Sequence, residues 1–239
     1  MIFKKTIVAG VLLAFLAQAS VFAAERFFID KKIKGYEQGD FVVLDADEIN
    51  FRERAVDGKV LKVLPHHSLL RVLKQDGDWL EAESDGVTGF IYAPFTSKGA
   101  KDELTKEDFI QGYAALGQRF DLAQAKVSLG KVEKTVANKK QKQTTYIYEN
   151  VELGVVKQQI TFIRVKDAKY ITMRGVSVGD SAGRAVGQYG VPDAVIYDDG
   201  LTTYEYFMPD DKKTQLRFAL EINAAGKVQA FVLERVSQK

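Results

Sequence analysis

Apolar and polar positions follow three different patterns along this chain, and each predicts a different kind of element. From Ile7 to Leu16 the chain is apolar, with Lys4-Lys5 before it and Val21-Phe22-Ala23-Ala24 after it. A basic start, an apolar centre and a small-residue end are the layout of a secretory signal peptide. Residues 1–23 are therefore expected to direct export, with cleavage after Ala23, and residues 24–40 to form an N-terminal segment. The competing reading is an uncleaved anchor, since the 19 uncharged residues from Thr6 to Ala24 could just cross about 30 Å of hydrocarbon. Gln18, Ser20 and the alanine-rich end favour cleavage.

From residue 41 to 97 the apolar runs shorten to between four and six positions. They include Phe41-Val42-Val43-Leu44, Ile49-Asn50-Phe51-Arg52, Val60 to Leu64, Leu69 to Leu73, Trp79 to Ala82 and Gly89 to Tyr92. Asp57-Gly58, Pro65, Asp76-Gly77-Asp78 and Ser84-Asp85-Gly86 separate them. Short β-rich runs joined by Asp-Gly steps predict antiparallel strands with tight turns, because glycine supplies the positive φ that hairpin turns require. So many short strands suit a small closed barrel, which leaves no free edge.

Residues 98–118 read as a linker and a helix. Thr105 and Asp108 resemble a capping box, and Phe109, Tyr113 and Leu116 fall at helical spacing. Beyond them the chain can be laid on itself at an offset near 60. Asp121 to Gly130 superimposes on Ser181 to Gly190, each a polar N-cap, a short apolar-spaced helix and a closing glycine, with Pro192 stopping the second. Thr145-Tyr146-Ile147-Tyr148 matches Thr203-Tyr204-Glu205-Tyr206, Ile160 to Ile163 matches Leu216 to Ala219, and Lys169 to Thr172 matches Lys227 to Ala230. The pattern predicts two units, 119–174 and 175–239, each a helix, a long loop and three strands. The fold class is thus mainly β plus α+β: a small SH3-like barrel followed by a duplicated helix-plus-antiparallel-sheet domain.

Two resemblances follow from these residues. Ile49-Asn50-Phe51-Arg52, the strand ending at Leu73, Gly77-Asp78-Trp79-Leu80, and Gly86-Val87-Thr88-Gly89-Phe90-Ile91 resemble the landmarks of the bacterial SH3 (SH3b) family in order and spacing. Two positions depart: Glu53-Arg54-Ala55-Val56 replaces the family's usual Ser-Gly-Pro turn, and Phe90 stands where a Trp is usual. The resemblance implies binding to the cell envelope, often to peptidoglycan or its peptides, without catalysis by the barrel. Separately, Gly175 to Asp180, Tyr189 to Asp193, Tyr204-Glu205-Tyr206 and Gly226-Lys227-Val228 are similar to the β-lactamase-inhibitor-protein fold and to the small lipoprotein of the outer-membrane β-barrel assembly machinery. That similarity implies a protein-binding scaffold.

Candidate binding residues come from both halves. In the barrel, Trp79, Phe90 and Tyr92 could form a surface aromatic cluster for a sugar or peptide with Asn50 and Arg52 as polar anchors, or Trp79 and Phe90 could simply fill the core. In the second half Tyr146, Tyr148, Tyr204 and Tyr206 share a strand face pairwise. They form either a rigid protein-binding patch or a layer packed under the helices. Lys131, Lys134, Lys139, Lys140 and Lys142 read as a solvated loop or an electrostatic contact.

Composition changes this picture mostly by removal. The 239 residues are 46% hydrophobic and contain no Cys and two His, so thiol nucleophiles, thiolate metal sites and disulfides are excluded. His66 and His67 follow Pro65 and are expected to be exposed turn residues, too few for a metal set. Gly175-Val176-Ser177-Val178-Gly179 mimics a nucleophile elbow in letters but precedes a helix cap, and Asp198-Asp199 and Asp210-Asp211 lie in turns. From Glu25 onward bases and acids balance at 32 each, which disfavours nucleic-acid binding. Within that balance, residues 41–97 carry net −4 and residues 98–239 net +4, which suggests that the two domains dock. The sequence therefore points to a non-catalytic, exported envelope-binding protein of the periplasm or cell surface. No metal or cofactor is expected, nor any membrane span after signal cleavage; the partner is a cell-wall component or envelope protein. The alternative is an inhibitor or regulator of an exported enzyme, acting through the tyrosine-rich sheet.

Overall fold

A computed structural model describes residues 25–28, 36–98, 103–111, 114–140 and 142–237. Residues 1–23, expected from the sequence to direct export, lie outside them. The described chain is mainly β, with two antiparallel sheets, a two-stranded pairing and two short α-helices. None of these helices is long and apolar enough to cross a membrane.

Strand β1 (Glu25–Phe28) is followed by β2 (Phe41–Leu44), β3 (Ile49–Arg52), β4 (Val60–Leu64), β5 (Leu69–Asp76), β6 (Trp79–Ser84), β7 (Val87–Tyr92) and β8 (Thr96–Ser97). Strands β2 to β8 form a seven-stranded sheet in the order β4-β3-β7-β6-β5-β2-β8. The closed barrel expected here does not form: the end strands β4 and β8 are not paired. With only two residues, β8 is too short to carry a ladder across to β4. Alternation along β6 is clean, with Leu80, Ala82 and Ser84 buried and Trp79, Glu81 and Glu83 on the outer face.

By contrast, β2 is buried at all four positions. Val42 and Leu44 enter the core of the seven-stranded sheet, while Phe41 and Val43 enter the core of the larger sheet beyond it. A strand with no polar face must be covered on both sides. Each such side chain contributes roughly 1.5–3 kcal/mol by burial, so β2 ties the two sheets together.

Among the described residues of 98–118 the expected α-helix is absent. A single 3-10 turn spans Lys106–Phe109, and β9 (Ile110–Gln111) and β10 (Ala114–Ala115) pair after it. The Asp108 carboxylate accepts from the Thr105 N–H at 2.9 Å, closing one tight turn, and the extended Ile110 ends it. Phe109 is buried by this turn, and Tyr113 lies outside the described residues.

Next come α1 (Leu122–Leu129), β11 (Lys134–Asn138), β12 (Gln143–Ile147), β13 (Val151–Val156) and β14 (Gln159–Val165). Then follow α2 (Ala182–Tyr189), β15 (Ala194–Asp198), β16 (Leu201–Pro209), β17 (Thr214–Ile222) and β18 (Val228–Ser237). A capped eight-residue helix followed by a four-stranded meander thus occurs twice. The two meanders join through their last strands, and β1 adds at one edge, giving the nine-stranded order β1-β15-β16-β17-β18-β14-β13-β12-β11. Asp121 accepts from the N–H groups of Ala123 and Gln124, and Ser181 from that of Arg184, satisfying donors that a helix start leaves open. Gly130 and Gly190 close the helices at φ of 85° and 70°.

Each unit has four strands where three were expected. The lysine-rich stretch read as a loop contains the edge strand β11, exposed along its whole length. Lys134 on this edge discourages pairing with other chains, and the polar Lys134, Thr135 and Asn138 hide the strand from pattern reading. Thr145 to Tyr148 and Thr203 to Tyr206 mark the second strand of each meander. However, Ile160 to Ile163 lies in the fourth strand and Leu216 to Ala219 in the third, so that pair does not correspond; Lys169 to Thr172 falls in no strand.

The two sheets dock through α2. A Cβ at Gly183 would come within 2.7 Å of the His66 carbonyl, and one at Gly187 within 2.7 Å of His67 Nδ1. Glycine lets the 66–67 turn press against the helix. His66 and His67 are therefore half-buried and stacked at 3.8 Å, not exposed, because α2 covers them. Burial first, and the neighbouring His66 second, lower the pKa of His67, against the opposing pull of Asp45 and Asp47. The docking is thus made largely by apolar residues and close backbone approach. On the sheet face away from the helices, Arg164 bridges Glu152 and Glu221, and Arg217 bridges the fully buried Glu205 and Glu234.

Candidate functional site

The outer face of the seven-stranded sheet carries an open groove of about 410 Å³ lined by Glu48, Ile49, Asn50, Arg52, Val56, Trp79, Tyr92 and Phe95. Local sequence builds its aromatic wall. The Asp76-Gly77-Asp78 turn delivers Trp79 as the first residue of β6, directly opposite Tyr92 at the end of β7. Their rings lie 5.5 Å apart and tilted. Pro94 then opens a 3-10 turn, Ala93–Phe95, which brings Phe95 edge-on to Tyr92 at 5.5 Å. This turn is pinned below: Thr96 Oγ1 donates to the Ala93 carbonyl at 2.7 Å, and the Tyr36 hydroxyl donates to the Thr96 carbonyl at 2.9 Å.

The polar wall comes from β3 and the turn after it. A register shift between Phe51 and Arg52 turns the arginine outward, and its Nη1 donates to the Gly58 carbonyl at 2.9 Å. Arg52 therefore both braces the 53–58 turn and presents its remaining donors to the groove. Within that turn Val56 is 72% exposed at a φ of 66°, a strained conformation for a β-branched residue. Val56 of this turn lines the groove.

Four of the five barrel residues singled out from sequence, Asn50, Arg52, Trp79 and Tyr92, meet here. Phe90 does not: it shares the outer face, half-buried and paired with Arg52 and Glu81, but outside the groove lining. Sequence reasoning missed Glu48, Ile49, Val56 and Phe95. The signal for Phe95 was Pro94 two residues after the strand end, in the first positions of a tight turn. Two aromatic faces, an edge-on phenyl, an amide, a guanidinium and a carboxylate suit an extended ligand with apolar or sugar faces and a few polar groups.

The tyrosine patch is not exposed. Tyr148, Tyr204 and Tyr206 are 2%, 5% and 0% exposed, and Tyr146 is half-buried, stacked on Phe120. Tyr146 pairs with Leu153, Tyr204 with Leu220 and Tyr206 with Phe218, all on the face that the helices cover. Tyr206 donates its hydroxyl to the Gly190 carbonyl at 3.0 Å and packs against Tyr189 of α2. Burial raises the phenol pKa of both Tyr204 and Tyr206 well above its ordinary value.

Other candidate chemistry resolves into turns. Ser177 lies in the turn before α2, where Asp180 accepts from its N–H at 2.8 Å. Asp211 accepts from the N–H groups of Lys213 and Thr214. Among the described residues no group of three or more His, Asp or Glu side chains could hold a metal ion.

No family model matches the chain, and no curated protein matches it. A solved structure of an extracellular protein containing a SCP domain, from Bacillus anthracis str. Ames, gives a TM-score of 0.35 at 7% identity, over 56% of this chain and 49% of that one. The present chain thus spans about half the length of that protein, and a likeness so slight assigns neither a fold nor an activity.

Proposed function

We propose that this is a non-catalytic, exported envelope-binding protein whose outer-face groove takes a peptidoglycan strand or a wall-associated peptide. The observation that carries the reading is the convergence of Trp79, Tyr92 and Phe95 with Asn50, Arg52 and Glu48 in one open groove. Stacked aromatic faces beside a few polar groups favour sugar rings and extended peptides, which bury one face and hydrogen-bond along the other. The SH3b resemblance of the strands that build the groove supports the same ligand class. The export reading rests on the Lys4-Lys5, apolar and alanine-rich order of the first 24 residues.

In the same reading, the seven-stranded sheet is an SH3b-type module and the two helix-plus-meander units are tandem copies that serve as a scaffold. The matching N-caps and closing glycines at an offset of 60 support the duplication. The alternative, an inhibitor or regulator of an exported enzyme acting through the tyrosine-rich sheet, finds less support, because Tyr148, Tyr204 and Tyr206 are buried.

The test is sedimentation with purified peptidoglycan sacculi. Wild-type protein is expected in the pellet, and Trp79→Ala/Tyr92→Ala, checked for unchanged secondary structure, in the supernatant, with affinity reduced by at least about tenfold for two lost aromatic contacts. Wild-type protein remaining in the supernatant, or equal pelleting of both, rejects the groove as a wall-binding site.

A further inference from the structure

Two stretches of this chain carry opposite charge and do not neutralise each other within it. Residues 41–97 have ten acids against six bases, and residues 119–142 have seven bases against two acids. The contact that docks the two sheets, the 66–67 turn on Gly183 and Gly187 of α2, involves none of the lysines in the second stretch. Lys126 on α1, Lys131, Lys134 on β11, and Lys139, Lys140 and Lys142 at the β11–β12 turn are all exposed and enter no ion pair among the described residues. They belong to the first meander, whereas the acidic unit is seated against the helix of the second.

The lysine-rich end also carries an uncovered helix. On α1, Ala125 and Leu129 pack inward, which leaves Ala123, Lys126 and Val127 on the outer side. At the offset of 60, Ala123 and Val127 correspond to Gly183 and Gly187, so the equivalent face of α2 is the one that the acidic unit covers. Val127 is the most exposed large apolar side chain among the described residues. The side chains of Ala123 and Val127 occupy the space that the two glycines leave open, so a different surface of the acidic unit has to fit here.

That unit has a matching free face. β4 ends the seven-stranded sheet, with no strand on its far side among the described residues. A register shift against β3 leaves Val60, Leu61 and Val63 exposed, with Val63 opposite Asn50 and Val60 opposite Arg52. The Glu53 N–H donates to the Lys59 carbonyl at 2.8 Å, which sets the exposed Glu53, Val56 and Asp57 beside the start of this strand. Lys62, the one base within β4, is drawn away to the Ser84 carbonyl and Asp85. One unit therefore presents an apolar strip bordered by acids, and the other an apolar helix face bordered by lysines. Exposed apolar groups next to complementary charge have the makeup of an interface.

We infer that the protein associates head to tail, the α1 face and its lysines in one copy docking on the β4 strip of the acidic unit of a second copy. The contact is made by side chains and does not extend the β11 ladder. Apolar burial supplies the affinity, and the opposite charges select the orientation and speed the encounter. Because the two faces differ, every docked pair still offers one free head and one free tail, so the contact closes into a ring or runs on as a chain. This goes beyond the wall-binding reading and does not rest on it.

The experiment is sedimentation velocity of the purified protein over a range of concentrations. Average mass is expected to rise with concentration at about 0.02 M salt and to return to the monomer at about 0.5 M, where the charges are screened. Lys126→Glu/Lys131→Glu reverses the tail and Glu53→Lys/Asp57→Lys reverses the head; each should weaken association at low salt by at least about tenfold. Equal mixing of these two variants should restore it, since each supplies the face that the other has lost. All four positions are exposed, and circular dichroism checks that each variant keeps its fold. A wild-type protein that stays monomeric at every concentration overturns the inference and leaves the lysines to an anionic envelope polymer. Association that salt and both variants leave unchanged also overturns it, as does loss in one variant alone, which marks a contact between like faces. Trp79→Ala/Tyr92→Ala should associate as wild type does whether or not it pellets with sacculi, which separates failure of this contact from failure of the groove.

Discussion

Helices α1 and α2 are written in nearly the same local code and meet different fates. Both run for eight residues between a polar N-cap and a glycine of positive φ, and both precede a four-stranded meander. Yet α2 buries Gly183, Ala185, Val186 and Tyr189, whereas α1 buries no residue fully and leaves Leu122 and Val127 51% and 88% exposed. The difference lies outside the helices. At the offset of 60, Val127 corresponds to Gly187, the position where α2 admits His67 of the seven-stranded sheet. α1 has no such cover among the described residues. Capping defines where a short helix begins and ends, but a helix of this length is marginal in water, and tertiary packing supplies most of its stability.

The sharpest way to break the contrast is to remove what clamps the end of α2. Arg174 grips the buried Asp108 through two nitrogens, at 2.9 and 3.0 Å, and lies over the Tyr189 ring. Arg174→Leu strands that carboxylate and should cost about 3–5 kcal/mol in denaturant unfolding. A loss below about 1 kcal/mol would mean the clamp contributes little. Gly187→Val, which gives α2 the residue α1 carries at the equivalent position, forces a Cβ against His67 and should cost about 1–3 kcal/mol. The reverse test is Val127→Lys in α1, expected within about 0.5 kcal/mol of wild type. Equal effects in the two helices would show that α1 has a cover after all.

A smaller effect should appear with pH. The folded state lowers the pKa of His67 from 6.5, so the unfolded chain binds that proton more tightly. Its contribution is complete above about pH 6.5 and is lost as pH falls through the lower folded value. Melting temperature should therefore decline from pH 7 to pH 5, and decline less in His67→Gln. Identical profiles would remove His67 from the account.

Much of this contrast was legible before the fold was known, and the gaps have physical causes. Asp121, Ser181 and the closing glycines can be read because capping is a local backbone requirement. Trp79 and Tyr92 could be grouped as aromatics of neighbouring short strands, but only the strand pairing sets them opposite each other. The 105–116 stretch misled because Phe109 and Leu116 satisfy helical spacing, while Thr105 and Asp108 close a turn that stops after four residues. The tyrosine alternation correctly grouped side chains by face, but no periodicity says which face another layer will cover. Phe41 to Leu44, apolar at every position, already carried the signature of a strand covered on both sides.

What the sequence determined by itself were the short-range choices: tight turns, caps, strand lengths and the absence of thiol chemistry, each decided within a few residues of the chain. The tertiary structure alone decided that the seven-stranded sheet stays open, that His66 and His67 sit beneath α2, that three tyrosines are buried, and that Lys62, Gly183 and Tyr204 share a cleft. The last of these and the seating of the histidines depend on groups more than a hundred residues apart, whose approach is governed by the fit of two sheets and not by any local preference.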